Sequence, residues 1–84
     1  MSSIERYIRK MRNNPIGWRI ESLEAVARSM GIKVSKRGGS HVQFKALATR
    51  KTLAIPAKRP IKPVYIKKFL ILIDDCMNKN ETSN

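Results

Sequence analysis

One histidine occurs in this chain of 84 residues, within Gly38-Gly39-Ser40-His41-Val42-Gln43-Phe44. Imidazole exchanges protons near neutral pH more readily than any other side chain, so His41 is the first candidate for acid–base chemistry. What surrounds it in sequence restricts that chemistry. From Ala25 through Ile73 there is no carboxylate, while twelve Lys and Arg residues fall in the same stretch. A two-metal nuclease needs converging carboxylates, and none is present there. The single cysteine, Cys76, cannot form an intramolecular disulfide, and no Cys/His cluster has zinc-ligand spacing. No metal or cofactor is therefore expected.

A histidine among cations could instead act on a phosphodiester without metal, the cations stabilising the extra charge that develops on phosphorus. RNA suits such a site because its own 2′-hydroxyl attacks the adjacent phosphate once a base removes the proton. DNA has no such nucleophile. With one histidine, the second proton transfer falls to a lysine, to Tyr65 or to water. Each residue also has a plainer reading. A lone histidine is usually incidental, and Gly38-Gly39 can be turn chemistry alone, since neither Walker nor dinucleotide spacing is present.

The charge has a definite distribution. Eighteen Lys and Arg against six Asp and Glu give a net charge of +12. All six acids (Glu5, Glu21, Glu24, Asp74, Asp75, Glu81) lie towards the ends, where six bases balance them, so the middle carries the whole excess. A small domain charged so heavily with one sign points to a polyanionic partner, nucleic acid first. The longest apolar run, Phe69 to Ile73, falls far short of the roughly 20 residues that span a bilayer, and the first ten residues do not resemble a signal peptide. The expectation is a soluble cytoplasmic protein with no membrane partner.

The elements that must position His41 follow from periodicity. Ser2 and Glu5 have capping-box spacing, and Ile4, Tyr7, Ile8 and Met11 recur at helical intervals up to Asn13-Asn14-Pro15. A second helix runs from about Arg19 to Met30, with Ile20, Leu23, Val26, Ala27 and Met30 on one stripe and Gly31 as its stop. Ile32 and Val34, then Val42, Phe44 and Ala46, then Leu53 and Ile55, alternate with polar or small residues as three half-buried strands. After a basic loop, Ala57 to Lys62, Pro63 opens a last helix with Tyr65, Ile66, Phe69, Leu70, Leu72, Ile73 and Cys76 towards the core. Asn78 to Asn84 reads as a polar tail. Trp18, Phe44 and Phe69 read as packing residues, and Asp74-Asp75 as a solvated helix face. The whole is one α+β domain, 1–84: a three-stranded antiparallel meander with helices on one face, an extra N-terminal helix over 1–14 and a core over 17–75.

Parity fixes the first hairpin. Residues opposed across an antiparallel pair share a face, so a two-residue Gly38-Gly39 loop sets Lys36 opposite His41 and turns Lys36 outward, against the surrounding alternation. A three-residue loop, Gly38-Gly39-Ser40, pairs Arg37 with His41, Val34 with Phe44 and Lys33 with Lys45, and every face then agrees. The consequence is a polar sheet face bearing Lys33, Arg37, His41, Gln43 and Lys45. Like charges across strands weaken a sheet by tenths of a kcal/mol each, roughly 0.2–1 at most, so such a face suits an anionic ligand.

Gly39-Ser40-His41-Val42-Gln43-Phe44, the preceding helix ending in Gly31-Ile32-Lys33-Val34, and Leu53-Ala54-Ile55-Pro56 followed by a basic loop and helix together resemble the HicA family. These are toxins of bacterial HicA/HicB toxin–antitoxin modules. The resemblance spans residues 17–75. It implies a fold similar to double-stranded-RNA-binding domains, ribonuclease activity on mRNA, and neutralisation by a HicB-like antitoxin that masks the site. It places the catalytic histidine at His41. The candidate RNA contacts are Lys33, Lys36, Arg37, Gly39, Ser40, Lys45, Lys58 and Arg59. The sequence departs from some members in reading Ala57-Lys58-Arg59 where they have further histidines.

Two other functions compete with a metal-independent mRNA endoribonuclease. A non-catalytic RNA- or DNA-binding module would use His41 as one more contact, and a protein-binding module would dock an acidic protein on the basic face.

Overall fold

The structure is a computed structural model and describes residues 3–37, 39–58 and 60–82. Ser2, Gly38 and Arg59 fall outside them, so the capping box and one expected contact, Arg59, lie outside the described residues. Helix α1 spans Ser3–Asn13, with Glu5 in its first turn and Lys10 and Arg12 in its last, matching the signs of the helix dipole. It buries Ile8 and Met11. Pro15 forbids a further turn, and the connector is pinned by Asn14, whose carbonyl accepts the Trp18 indole N–H at 2.7 Å.

Helix α2, Ile20–Ser29, buries Leu23, Val26 and Ala27 completely. Its end is a Schellman turn: Gly31 N–H donates to the Arg28 carbonyl at 3.2 Å and Ile32 N–H to the Ala27 carbonyl at 2.9 Å. Gly31 takes φ +76, a left-handed conformation that a side chain disfavours. Buried Ile32 then delivers the chain into β1.

Strands β1 (Lys33–Arg37), β2 (His41–Ala46) and β3 (Lys51–Pro56) form an antiparallel sheet in the order β1-β2-β3. The register pairs Arg37 with His41, Val34 with Phe44 and Lys33 with Lys45, as the three-residue loop requires. Val42, Phe44, Ala46 and Ile55 are buried beneath the helices, and Phe44 meets Phe69 edge-on with ring centroids 5.3 Å apart. Helix α3, Pro63–Thr82, supplies Ile66, Phe69, Leu72 and Ile73 to this core. It packs against β3 and α1, while α2 packs against β1. No helix among the described residues is long and apolar enough to cross a membrane.

Two expectations are corrected. Helix α3 continues to Thr82, where a tail was expected from Asn78; Asn-Lys-Asn-Glu-Thr contains no Gly or Pro to stop a helix already propagating. Asp74 and Asp75 are not simply solvated. Asp74 accepts two hydrogen bonds from the Arg12 guanidinium, one of them 3.0 Å, which holds Arg12 above its ordinary pKa chiefly through that hydrogen bonding. Asp75 accepts from Lys51 Nζ at 2.5 Å. The pair therefore ties α3 to α1 and to β3.

Candidate active site

The face of the sheet away from the helices consists of three cross-strand rows. Lys33, Lys45 and Thr52 form one; Ser35, Gln43 and Ala54 the next; Arg37, His41 and Pro56 the last. None of these nine residues is acidic. Lys33, Ser35, His41, Lys45, Thr52 and Ala54 are exposed, and Gln43 and Pro56 are half-buried. Lys33 and Lys45 make no salt bridge among the described residues. The small side chains of Thr52 and Ala54 leave the β3 side of the face open.

His41 stands at the first position of β2, directly after the turn that holds Gly39 and Ser40. Gly39 has φ +74, so the turn uses the left-handed conformation open to glycine. Ser40 contributes twice. Its carbonyl accepts the Ala57 N–H at 2.9 Å, and its Oγ lies 3.3 Å from His41 Nδ1. With Nδ1 beside the hydroxyl, Nε2 is the ring nitrogen without a protein partner among the described residues. The bond from Ala57 also fixes the start of the basic loop against the His41 end of the sheet. Lys58, exposed, follows immediately.

The sheet thus brings His41, Ser40 and Gly39 together and sets Lys33, Lys45 and the backbone of Arg37 on the same surface. Lys36 does not join them. It pairs in register with buried Val42, faces the helix side, and its Nζ lies 3.5 Å from Glu24 Oε2. The physical reason is the pleat: one residue along a strand reverses the face. Lys62 was missed. Its carbonyl accepts the N–H groups of Tyr65 and Ile66, placing it at the end of the basic loop, immediately before α3. A lysine preceding a helix-opening proline was the available signal.

What this arrangement can do follows from its parts. An accessible imidazole on a cationic, carboxylate-free surface can move a proton at a phosphodiester and lower the cost of added negative charge. No group of three or more His, Cys, Asp or Glu residues able to hold a metal occurs among the described residues.

No protein-family model, curated protein or solved structure matches the chain. The class defined by fold and surface is a small basic α+β domain with an open antiparallel sheet. Any more particular reading stands on the residues around His41.

Proposed function

We propose that the chain is a metal-independent endoribonuclease that cleaves mRNA in the cytoplasm as the toxin of a type II toxin–antitoxin pair, with a domain of the double-stranded-RNA-binding type. The observation carrying this reading is the exposed His41, next to Ser40 and on a sheet face that holds cations but no carboxylate. The Gly39-Ser40-His41 resemblance to HicA toxins supports the same assignment.

In the reaction, His41 takes the proton of a ribose 2′-hydroxyl. The oxygen attacks the adjacent phosphorus, the bond from phosphorus to O5′ breaks, and O5′ receives a proton to leave as a hydroxyl. The products are a 2′,3′-cyclic phosphate and a 5′-hydroxyl end. Lys33 and Lys45 hold the phosphates of the strand across the face, and the developing negative charge is stabilised by the cations nearest the reacting phosphorus. Solvent, the Lys58 ammonium and the Tyr65 hydroxyl are the candidate sources of the second proton. A HicB-like antitoxin would neutralise the toxin by covering this face with acidic or hydrogen-bonding groups.

Expressing the chain alone, beside His41→Ala, tests the proposal. The expected result is growth arrest and RNA cleavage that persist in EDTA and disappear in the variant. Cleavage that survives the substitution, or that EDTA abolishes, overturns the mechanism. Salt-sensitive binding with no product leaves a non-catalytic nucleic-acid-binding module.

A further inference from the structure

The row containing His41 ends at Pro56, and there the surface changes character. Pro56 is also one wall of a cavity of about 470 Å³. The remaining walls come from the chain that follows it, Lys58 and Lys62 of the basic loop and Pro63 and Tyr65 of the first turn of α3, and from Ile16 of the distant α1–α2 connector. The volume falls within the range of about 300–1,000 Å³ typical of small-molecule sites.

These walls are held in place by hydrogen bonds. Ile61 N–H donates to the Trp18 carbonyl at 3.0 Å, joining the basic loop to the connector. Ile16 N–H donates to Asn14 Oδ1 at 3.2 Å, and Ala57 N–H reaches the Ser40 carbonyl. The lining is apolar and aromatic, with two ammonium groups and no acid. Lys68 Nζ lies 5.8 Å from the centroid of the Tyr65 ring, adding positive charge beside it. A flat apolar group attached to an anion fits this chemistry better than an aliphatic side chain, which has no use for the lysines. It also fits better than a bare phosphate, which has no use for Pro56, Pro63 and Ile16.

We propose that this cavity receives the base of an unpaired nucleotide next to the phosphate presented to His41. The base packs against Tyr65 and the prolines, and Lys58 and Lys62 hold its phosphates. The proposal rests on the reading of the His41 face as an RNA surface and makes the substrate single-stranded, because a base inside a duplex cannot enter a pocket.

The test is equilibrium binding by the full chain carrying His41→Ala, which prevents turnover from obscuring affinity. The probes are a short single-stranded RNA, an abasic ribose-phosphate oligomer of equal length and a blunt RNA duplex. The intact strand is expected to bind about 5- to 150-fold more tightly than the abasic one, the range of one aromatic–base stack. Tyr65→Ala should remove that advantage while leaving abasic binding unchanged, and Tyr65→Phe should keep it. Since Tyr65 is half-buried, Ile16→Glu on the exposed connector provides a second variant that leaves the core intact, and it too should lose the advantage. Equal binding of intact and abasic strands, tighter binding of the duplex, or an Ile16→Glu chain that retains the full preference overturns the proposal. Base-dependent binding without cleavage by the unsubstituted chain supports the pocket and removes the nuclease. Cleavage with no base dependence does the reverse.

Discussion

Lysines occur on both faces of the sheet, in opposite surroundings. On the helix side, Lys36 of β1 meets Glu24 and Lys51 of β3 meets Asp75. On the open side, Lys33 and Lys45 face one another across β1 and β2, with no acid in any of the three rows. The acids Glu24, Asp74 and Asp75 are engaged in joining helices to the sheet and to each other. The partly exposed Arg12–Asp74 and Lys51–Asp75 pairs each add about 0.2–1 kcal/mol, and Lys36 and Lys51 point charges inward on the two edge strands, where they discourage pairing with another chain. The excess positive charge is left to the open face, the loops and exposed helix positions such as Lys67 and Lys68. The same residue type thus maintains the fold on one side and remains available to a ligand on the other.

The largest test of this division is packing. Phe44→Ala empties a site at the centre of the helix side and should destabilise the chain by about 3–5 kcal/mol, read from denaturant unfolding. Gln43→Ala, one residue along but on the open face, should stay within about 0.5 kcal/mol of the parent. Comparable losses would mean that the two faces are not energetically distinct.

A smaller effect comes from exchanging lysines between faces. Lys45→Ala should flatten the dependence of log RNA affinity on log salt by about 0.7 to 0.9, the value for one phosphate contact, and should leave stability unchanged or raised by tenths of a kcal/mol, roughly 0.2–1 at most, as the clash with Lys33 is relieved. Lys36→Ala should do the converse, lowering stability by about 0.2–1 kcal/mol with the salt slope retained. A salt slope reduced equally by both substitutions would show that Lys36 also reaches RNA.

Much of the sheet was legible because its information is local. Strict alternation in His41–Ala46 and the incompatibility of a two-residue loop with that alternation determined register and face together. Gly31 marked the end of α2 for a conformational reason that one residue carries. The partners of Asp74 and Asp75 were not legible, since Arg12 and Lys51 lie 62 and 24 residues away. Only the packed helices bring them together. The cavity beside Pro56 was hidden for the same reason, being assembled where residues 56–65 meet the distant connector at Ile16 and Gly17. Lys36 was a different case: strand parity placed it inward, while its charge grouped it with the RNA contacts, and the pleat prevailed.

The smallest expected effect is chemical. Burial, with Asp75 adding to it, pushes the Cys76 thiol above its ordinary value, which keeps it protonated and poorly nucleophilic at pH 8. Reaction with a thiol reagent should be slow in the folded chain and become fast on unfolding. Reactivity at the rate of an unfolded chain would show that the helix side opens under native conditions.

The most direct measurement is the chemistry of the RNA ends. Purified chain is incubated with RNA in EDTA, with and without His41→Ala, and the fragments are weighed by mass spectrometry. Fragments ending in 2′,3′-cyclic phosphate and beginning with 5′-hydroxyl, produced by the parent and absent from the variant, are the expected result. Fragments with 3′-hydroxyl and 5′-phosphate ends, or cleavage unchanged by His41→Ala, would contradict it.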